Sequence, residues 1–176
     1  MKNIEVEVRS FVDEQKYHEL ISFFHEHAKF IKDDTQVTYY FGGDQDLRIQ
    51  KNDFFSKIWM KKWQLHDDHR EEIEIKCELN DFEKLEQLFL SLWYDIEIKW
   101  FRKRLQFDWN GIDVSIDSTN WYGYIIELEI LSTQEDTLKN LTLLNEKFSE
   151  LGIAMTPKEE FKTKYEFYKQ NRKTLV

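Results

Sequence analysis

Glu5, Glu7 and Arg9 in the run IEVEVRSF, and Glu127 and Glu129 in the run IIELEIL, place charged side chains at every second position. On a β-strand that spacing puts them on one face, with Ile4, Val6, Val8, Ile126, Leu128 and Ile130 on the other. Bases repeat the pattern between these runs: Arg48 with Gln50, Lys57 with Lys61, and Arg102 with Arg104. Glu72 with Glu74, and Asp113 and Asp117 flanking Ser115, add further acids at the same spacing. Carboxylates about 4 Å apart repel by ~1 kcal/mol in water and several-fold more where solvation is poor. A divalent cation relieves that repulsion. Oxygen donors without a nearby cysteine or paired histidines favour Mg²⁺ or Mn²⁺, ions that keep waters and share coordination with substrate phosphates. Arginine and lysine rows suit phosphate oxygens, arginine through planar two-point contacts and lysine as a point charge. The combination is the chemistry of a metal and polyphosphate site.

Positioning these residues falls to strands and helices that the pattern marks out. Strands are predicted over residues 4–11, 37–41, 46–50, 57–63, 71–79, 98–109, 112–117 and 124–131, where alternation and β-branched or aromatic residues coincide. Trp109-Asn110-Gly111-Ile112-Asp113 reads as a tight hairpin, because Asn-Gly supplies positive φ angles. Phe41-Gly42-Gly43-Asp44 turns the chain by the same means. Helices are predicted over 13–29, 81–93 and 133–151, the last stopping at Gly152. A fourth opens at Thr156-Pro157-Lys158-Glu159, a capping box with proline at the first helical position. The expected fold is α+β: an antiparallel sheet with helices outside it on the apolar face, leaving the charged face to line a cavity. A merely solvated face with cross-strand ion pairs explains any one strand. It gives no reason for acids to dominate the first and last strands and bases the third, fourth and sixth.

Composition narrows the class. At 176 residues with one proline and five glycines, the chain suits a single domain over 1–176 without a linker. The lone Cys77 leaves no internal disulfide framework. The first residues lack the apolar core of a signal peptide, and no apolar run approaches a transmembrane length, so a cytoplasmic protein without membrane partners is expected. A net charge of -9 opposes nonspecific nucleic-acid binding.

These residues resemble the CYTH superfamily of triphosphate tunnel metalloenzymes, which includes class IV adenylyl cyclases, thiamine triphosphatases and inorganic triphosphatases. Glu5, Glu7 and Arg9 resemble its ExEx(K/R) opening, Arg48 and Lys61 its following basic positions, and Arg70, Glu72 and Glu74 its R-x-E-x-E strand. Arg102-Lys103-Arg104 resembles its K-x-R pair, Asp117 its lone aspartate, and Gly123-Tyr124 with Glu127 and Glu129 its closing motif. The resemblance extends from Glu5 to about Tyr168. It implies an eight-stranded antiparallel β-barrel, a tunnel with a charged interior and helices outside. Glu5, Glu7, Asp117, Glu127 and Glu129 would then hold Mg²⁺ or Mn²⁺, while Arg9, Arg48, Lys61, Arg102 and Arg104 grip a triphosphate-containing small molecule. Glu5, Glu7, Arg9, Glu127 and Glu129 would be the catalytic group. The implied reaction is metal-dependent hydrolysis of an inorganic, nucleoside or other organic triphosphate. Cyclisation of ATP to cyclic AMP and pyrophosphate, and binding of polyphosphate or nucleotide without turnover, stay open, as does a homodimer.

The sequence departs from the family pattern at several positions. Arg9 stands where lysine is usual, keeping charge but removing a proton acceptor. Gln50 stands where many members carry a second arginine, Lys51 points to the opposite strand face, and Lys164-Tyr165 replaces Ser-Tyr. His66-Asp67-Asp68-His69 reads as a solvated connection, His18, His25 and His27 as surface or helix–sheet contacts, and Cys77 as a small strand residue. Trp59, Trp63, Trp93, Trp100, Trp109 and Trp121 are expected between sheet and helices. Trp121 or Tyr124 is the candidate aromatic at a tunnel mouth.

Overall fold

The computed structural model describes residues 4–43, 45–61 and 72–175. Asp44, Trp63, Arg70, the His66–His69 segment and the side chains of Lys61 and Glu72 lie outside the described residues. Among the described residues the order is β1 (Ile4–Val12), α1 (Glu14–His27), β2 (Lys29–Phe41), β3 (Asp46–Lys51), β4 (Ser56–Lys61) and β5 (Glu72–Cys77). After a short 3-10 turn come α2 (Phe82–Ser91), β6 (Ile96–Trp109), β7 (Ile112–Thr119), β8 (Gly123–Ser132), α3 (Thr137–Glu150) and α4 (Lys158–Leu175).

All eight strands join one antiparallel sheet in the order β1-β8-β7-β6-β2-β3-β4-β5. No hydrogen-bonded ladder joins β1 to β5 among the described residues, so the tunnel wall is a curled sheet with a seam. The first and last charged runs are therefore neighbours. Glu7 pairs with Glu129 and Arg9 with Glu127 across β1 and β8, so the two acidic runs form one wall.

Local chemistry fixes the elements. The Asp13 side chain caps α1 by accepting from the Lys16 amide at 2.7 Å. Asn110 (φ 55°) and Gly111 (φ 85°) make the β6–β7 hairpin, and the Gly111 amide donates to Asp108 at 2.8 Å. Gly152 ends the helical segment with φ 67°. The Thr156 hydroxyl accepts from the Phe11 amide at 2.9 Å and bonds the buried Ser10 hydroxyl at 2.7 Å. That contact ties the α3–α4 connection to β1.

The helices cover the outer face as expected. Val6, Val8, Ile116, Ile126 and Leu128 pack under Leu20 and Phe24 of α1 and Leu144 and Phe148 of α3. Phe82 and Leu85 of α2 cover Phe41 and Ile49. Each such side chain contributes roughly 1.5–3 kcal/mol when fully buried. α4 differs: Phe161 and Tyr168 pack on Ile98, Trp100, Tyr122 and Ile125, inward residues at one end of the sheet. Phe161 and Tyr165 of α4 thereby line that end of the cavity. No helix among the described residues is long and apolar enough to cross a membrane.

Candidate active site

The concave face encloses a cavity of about 330 Å³. Glu5, Glu7 and Arg9 reach it from β1, Arg48 from β3, and Arg102 and Arg104 from β6. Asp117 enters from β7, and Glu127 and Glu129 from β8. Lys61 belongs to β4 by its backbone, but its side chain lies outside the described residues.

Glu7, Glu127 and Glu129 each bring a carboxylate oxygen within 4.8 Å of the others. Pairing of β1 with β8 produces this cluster, since Glu7 sits directly across from Glu129 and one step from Glu127. Oxygens bound to one Mg²⁺ at about 2.1 Å lie roughly 3–4 Å apart, so small side-chain adjustments let these three hold a hard divalent cation. Glu5 lines the same cavity but sits across from Leu131, outside the three-carboxylate group.

Asp117 is placed differently from the expected metal set. Its Oδ1 accepts from Arg104 Nε at 2.7 Å, and its Oδ2 accepts from Arg104 Nη2 at 2.7 Å and Arg102 Nη1 at 3.1 Å. The opposite edge of Arg102 donates from Nε and Nη2 to Gln36 Oε1 at 3.0 and 2.6 Å. Register explains the arrangement: Asp117 pairs with Arg104, and Arg102 with Gln36, across adjacent strands. Burial alone would raise the Asp117 pKa, but Arg102 and Arg104 hold it below the usual carboxylate range. Burial likewise lowers Arg104, yet Asp117 and Glu127 raise it overall. Arg102 is lowered, first by burial and then by Arg104, but a guanidinium that starts above 12 keeps its charge. The result is a fixed pair of cations, with N–H groups beyond these bonds on guanidinium groups that line the cavity.

Other charges are also compensated. Arg48 binds Asp46 through two nitrogens, Nε at 2.6 Å, and lies between the Tyr40 and Trp59 rings at 4.3 and 5.4 Å. Lys57 pairs with Glu74 at 2.6 Å, and Lys32 with the buried Asp34 at 2.9 Å. Gln50 donates to Gln36 and Thr38 at 3.2 and 3.0 Å, and so braces the residue that holds Arg102. Lys51 faces outward to Glu83 of α2. Lys164 lies 3.7 Å from the Phe11 ring centroid and 3.5 Å from Glu160, while its neighbour Tyr165 lines the cavity.

Several lining residues escape the sequence reading. Trp59 faces the tunnel instead of packing between sheet and helices, whereas Trp100 does both, lining the cavity and packing against Tyr168 of α4; parity with Lys57 and Arg102 signals the inward direction of the two. Trp109 does pack under α1, whereas Trp93 and Trp121 are 94% and 70% exposed at positive φ. Tyr124 packs against Tyr17 on the outer face, so neither it nor Trp121 is the aromatic of the tunnel; Tyr122 lines it instead. Lys32 and Gln36 belong to the part of β2 that precedes the predicted strand over 37–41, and Tyr40 to that strand.

Fold and site define a tunnel protein whose interior sets a carboxylate group beside a fixed guanidinium pair. Solved structures share this fold. A Pyrococcus horikoshii protein matches with a TM-score of 0.74 at 20% identity, covering 86% of this chain and 92% of its own. A candidate adenylyl cyclase from Hippeastrum, reported to have a dominant triphosphatase activity, matches with a TM-score of 0.64 at 16% identity, covering 90% and 94%. A candidate adenylate cyclase from Vibrio parahaemolyticus matches with a TM-score of 0.70 at 9% identity, covering 93% and 99%. No family model matches the sequence, and a comparison with curated proteins finds no match. The likeness establishes the fold.

Proposed function

We propose that the protein is a metal-dependent phosphohydrolase of triphosphates, built on the CYTH-type tunnel. The observation that carries this reading is the juxtaposition of the Glu7, Glu127 and Glu129 oxygens with the Arg102–Arg104 pair in one cavity. Mg²⁺ or Mn²⁺ held by those carboxylates would neutralise phosphate charge and lower the pKa of a water molecule. Arg102 and Arg104 donate to phosphate oxygens, and Asp117 and Gln36 hold both guanidinium groups in place before substrate arrives. Arg9, 3.9 Å from Glu7, adds a positive charge next to the acids, and Glu5 extends the acidic lining beyond Glu7. Positioning and charge neutralisation account for most of the rate in phosphoryl transfer, so this lining suits the reaction without a covalent intermediate.

Class IV adenylyl cyclase is the second reading, favoured by the fold shared with the Vibrio parahaemolyticus and Hippeastrum proteins. Incubation with ATP, thiamine triphosphate and Mn²⁺ followed by product analysis separates the two. Orthophosphate is expected. Cyclic AMP with pyrophosphate would replace the first reading with the second, and binding without turnover would remove both.

A further inference from the structure

The β3–β4 connection at residues 52–55 stands at the end of the tunnel away from α4. Its backbone is pinned from several sides. Asn52 Oδ1 accepts from the Phe54 and Phe55 amides at 2.9 and 2.8 Å, and the Asn52 amide donates to the Phe55 carbonyl at 3.0 Å. The Asp53 amide donates to buried Asp34 at 3.2 Å, and Asp53 Oδ2 accepts from the Thr35 amide at 2.8 Å. A loop held this firmly presents two adjacent phenylalanines. Phe55 lines the cavity, whereas Phe54 remains 59% exposed with Lys32 Nζ 5.6 Å from its ring centroid. Lys32 itself lines the cavity, so the Phe54 ring stands beside a tunnel residue.

A lone exposed phenylalanine is ordinary on a protein surface. This one differs in standing on a pinned loop beside a cation that lines the tunnel, whereas the aromatics at the α4 end are packed on one another. There Phe161 stacks on Phe11 at 4.5 Å, and Trp100 meets Tyr122 and Tyr168 at 4.5 and 4.9 Å, so those rings already have aromatic partners, whereas Phe54 stands exposed at the other end. We propose that Phe54 is a stacking platform for a planar ring attached to the triphosphate, making the substrate an aromatic organic triphosphate such as a nucleoside triphosphate. The inference rests on the triphosphate reading of the tunnel. Phosphates bound by Arg102 and Arg104 lie deeper, and the ring meets Phe54 as they enter.

The test is calorimetric titration, with Mg²⁺, of tripolyphosphate and of an ATP analogue whose bridging oxygens are replaced by methylene groups. Base–aromatic stacking corresponds to a change of about tenfold in affinity. Phe54→Ala is expected to weaken the analogue about tenfold and leave tripolyphosphate within about twofold, and Phe54→Trp to keep wild-type affinity for both. The substituted ring is exposed, so folding is not at stake. Equal effects of Phe54→Ala on both ligands, or on neither, would overturn the stacking role while leaving the triphosphate site intact. Failure of the wild-type protein to bind either ligand would overturn the triphosphate reading, and the stacking role with it.

Discussion

Asp117→Asn tests the claim that the arginine pair is held in place by a buried carboxylate. The side chain is almost fully buried, and three hydrogen bonds of 2.7–3.1 Å join it to Arg102 and Arg104. Removing one partner of a buried ion pair costs about 3–5 kcal/mol, because the remaining charge stays desolvated. Asparagine keeps an acceptor oxygen, so the lower figure, about 3 kcal/mol, is expected. In a chain of this size that lowers the Tm by about 6–12 °C. The pH dependence has a definite sign. The folded-state pKa lies below the unfolded value near 4, so the contribution is fully present above that value and lost as pH falls through the depressed one. The gap between wild type and variant should therefore narrow only toward strongly acidic pH. Urea unfolding across pH 3–8 measures it. Equal stability of the two proteins at pH 7 would refute the reasoning, because it would mean that the arginines do not depend on this carboxylate.

Three other outcomes follow from the geometry. Glu127→Gln should reduce Mn²⁺ affinity at least tenfold by titration while leaving the Tm within a few degrees, since it removes one of three clustered carboxylate charges. Gln50→Arg adds a cation near Arg102; it should lower stability measurably in urea and strengthen tripolyphosphate binding by calorimetry. Leu128→Ala, at a fully buried position under the helices, should cost about 2–5 kcal/mol in urea unfolding without changing metal affinity.

Strand alternation carried most of the fold, because seven strands put charge on one face and apolar residues on the other. β2 was legible only from residue 37: the predicted helix took residue 29, and residues 30–36 were assigned to no element. Its register slips between Phe30 and Lys32, and its inward Lys32, Asp34 and Gln36 are all polar, so no hydrophobic period announces it. The same omission hid Gln36, the residue that fixes Arg102. Which strands would be neighbours was also not written in any one segment. The β1–β8 pairing makes Glu7 and Glu129 adjacent, and the β6–β7 register gives Asp117 to the arginines. Trp59 and Trp100 could have been found by parity alone: each shares its strand face with charged tunnel residues. Hydrophobicity outweighed that cue.

Phosphate release from tripolyphosphate, followed with Mg²⁺ or Mn²⁺ and again with excess chelator, tests the central claim most directly. Turnover that requires the cation and falls at least tenfold in Glu127→Gln and Arg104→Ala is the predicted result. No release with either cation, or release unaffected by the chelator and by both substitutions, would contradict it.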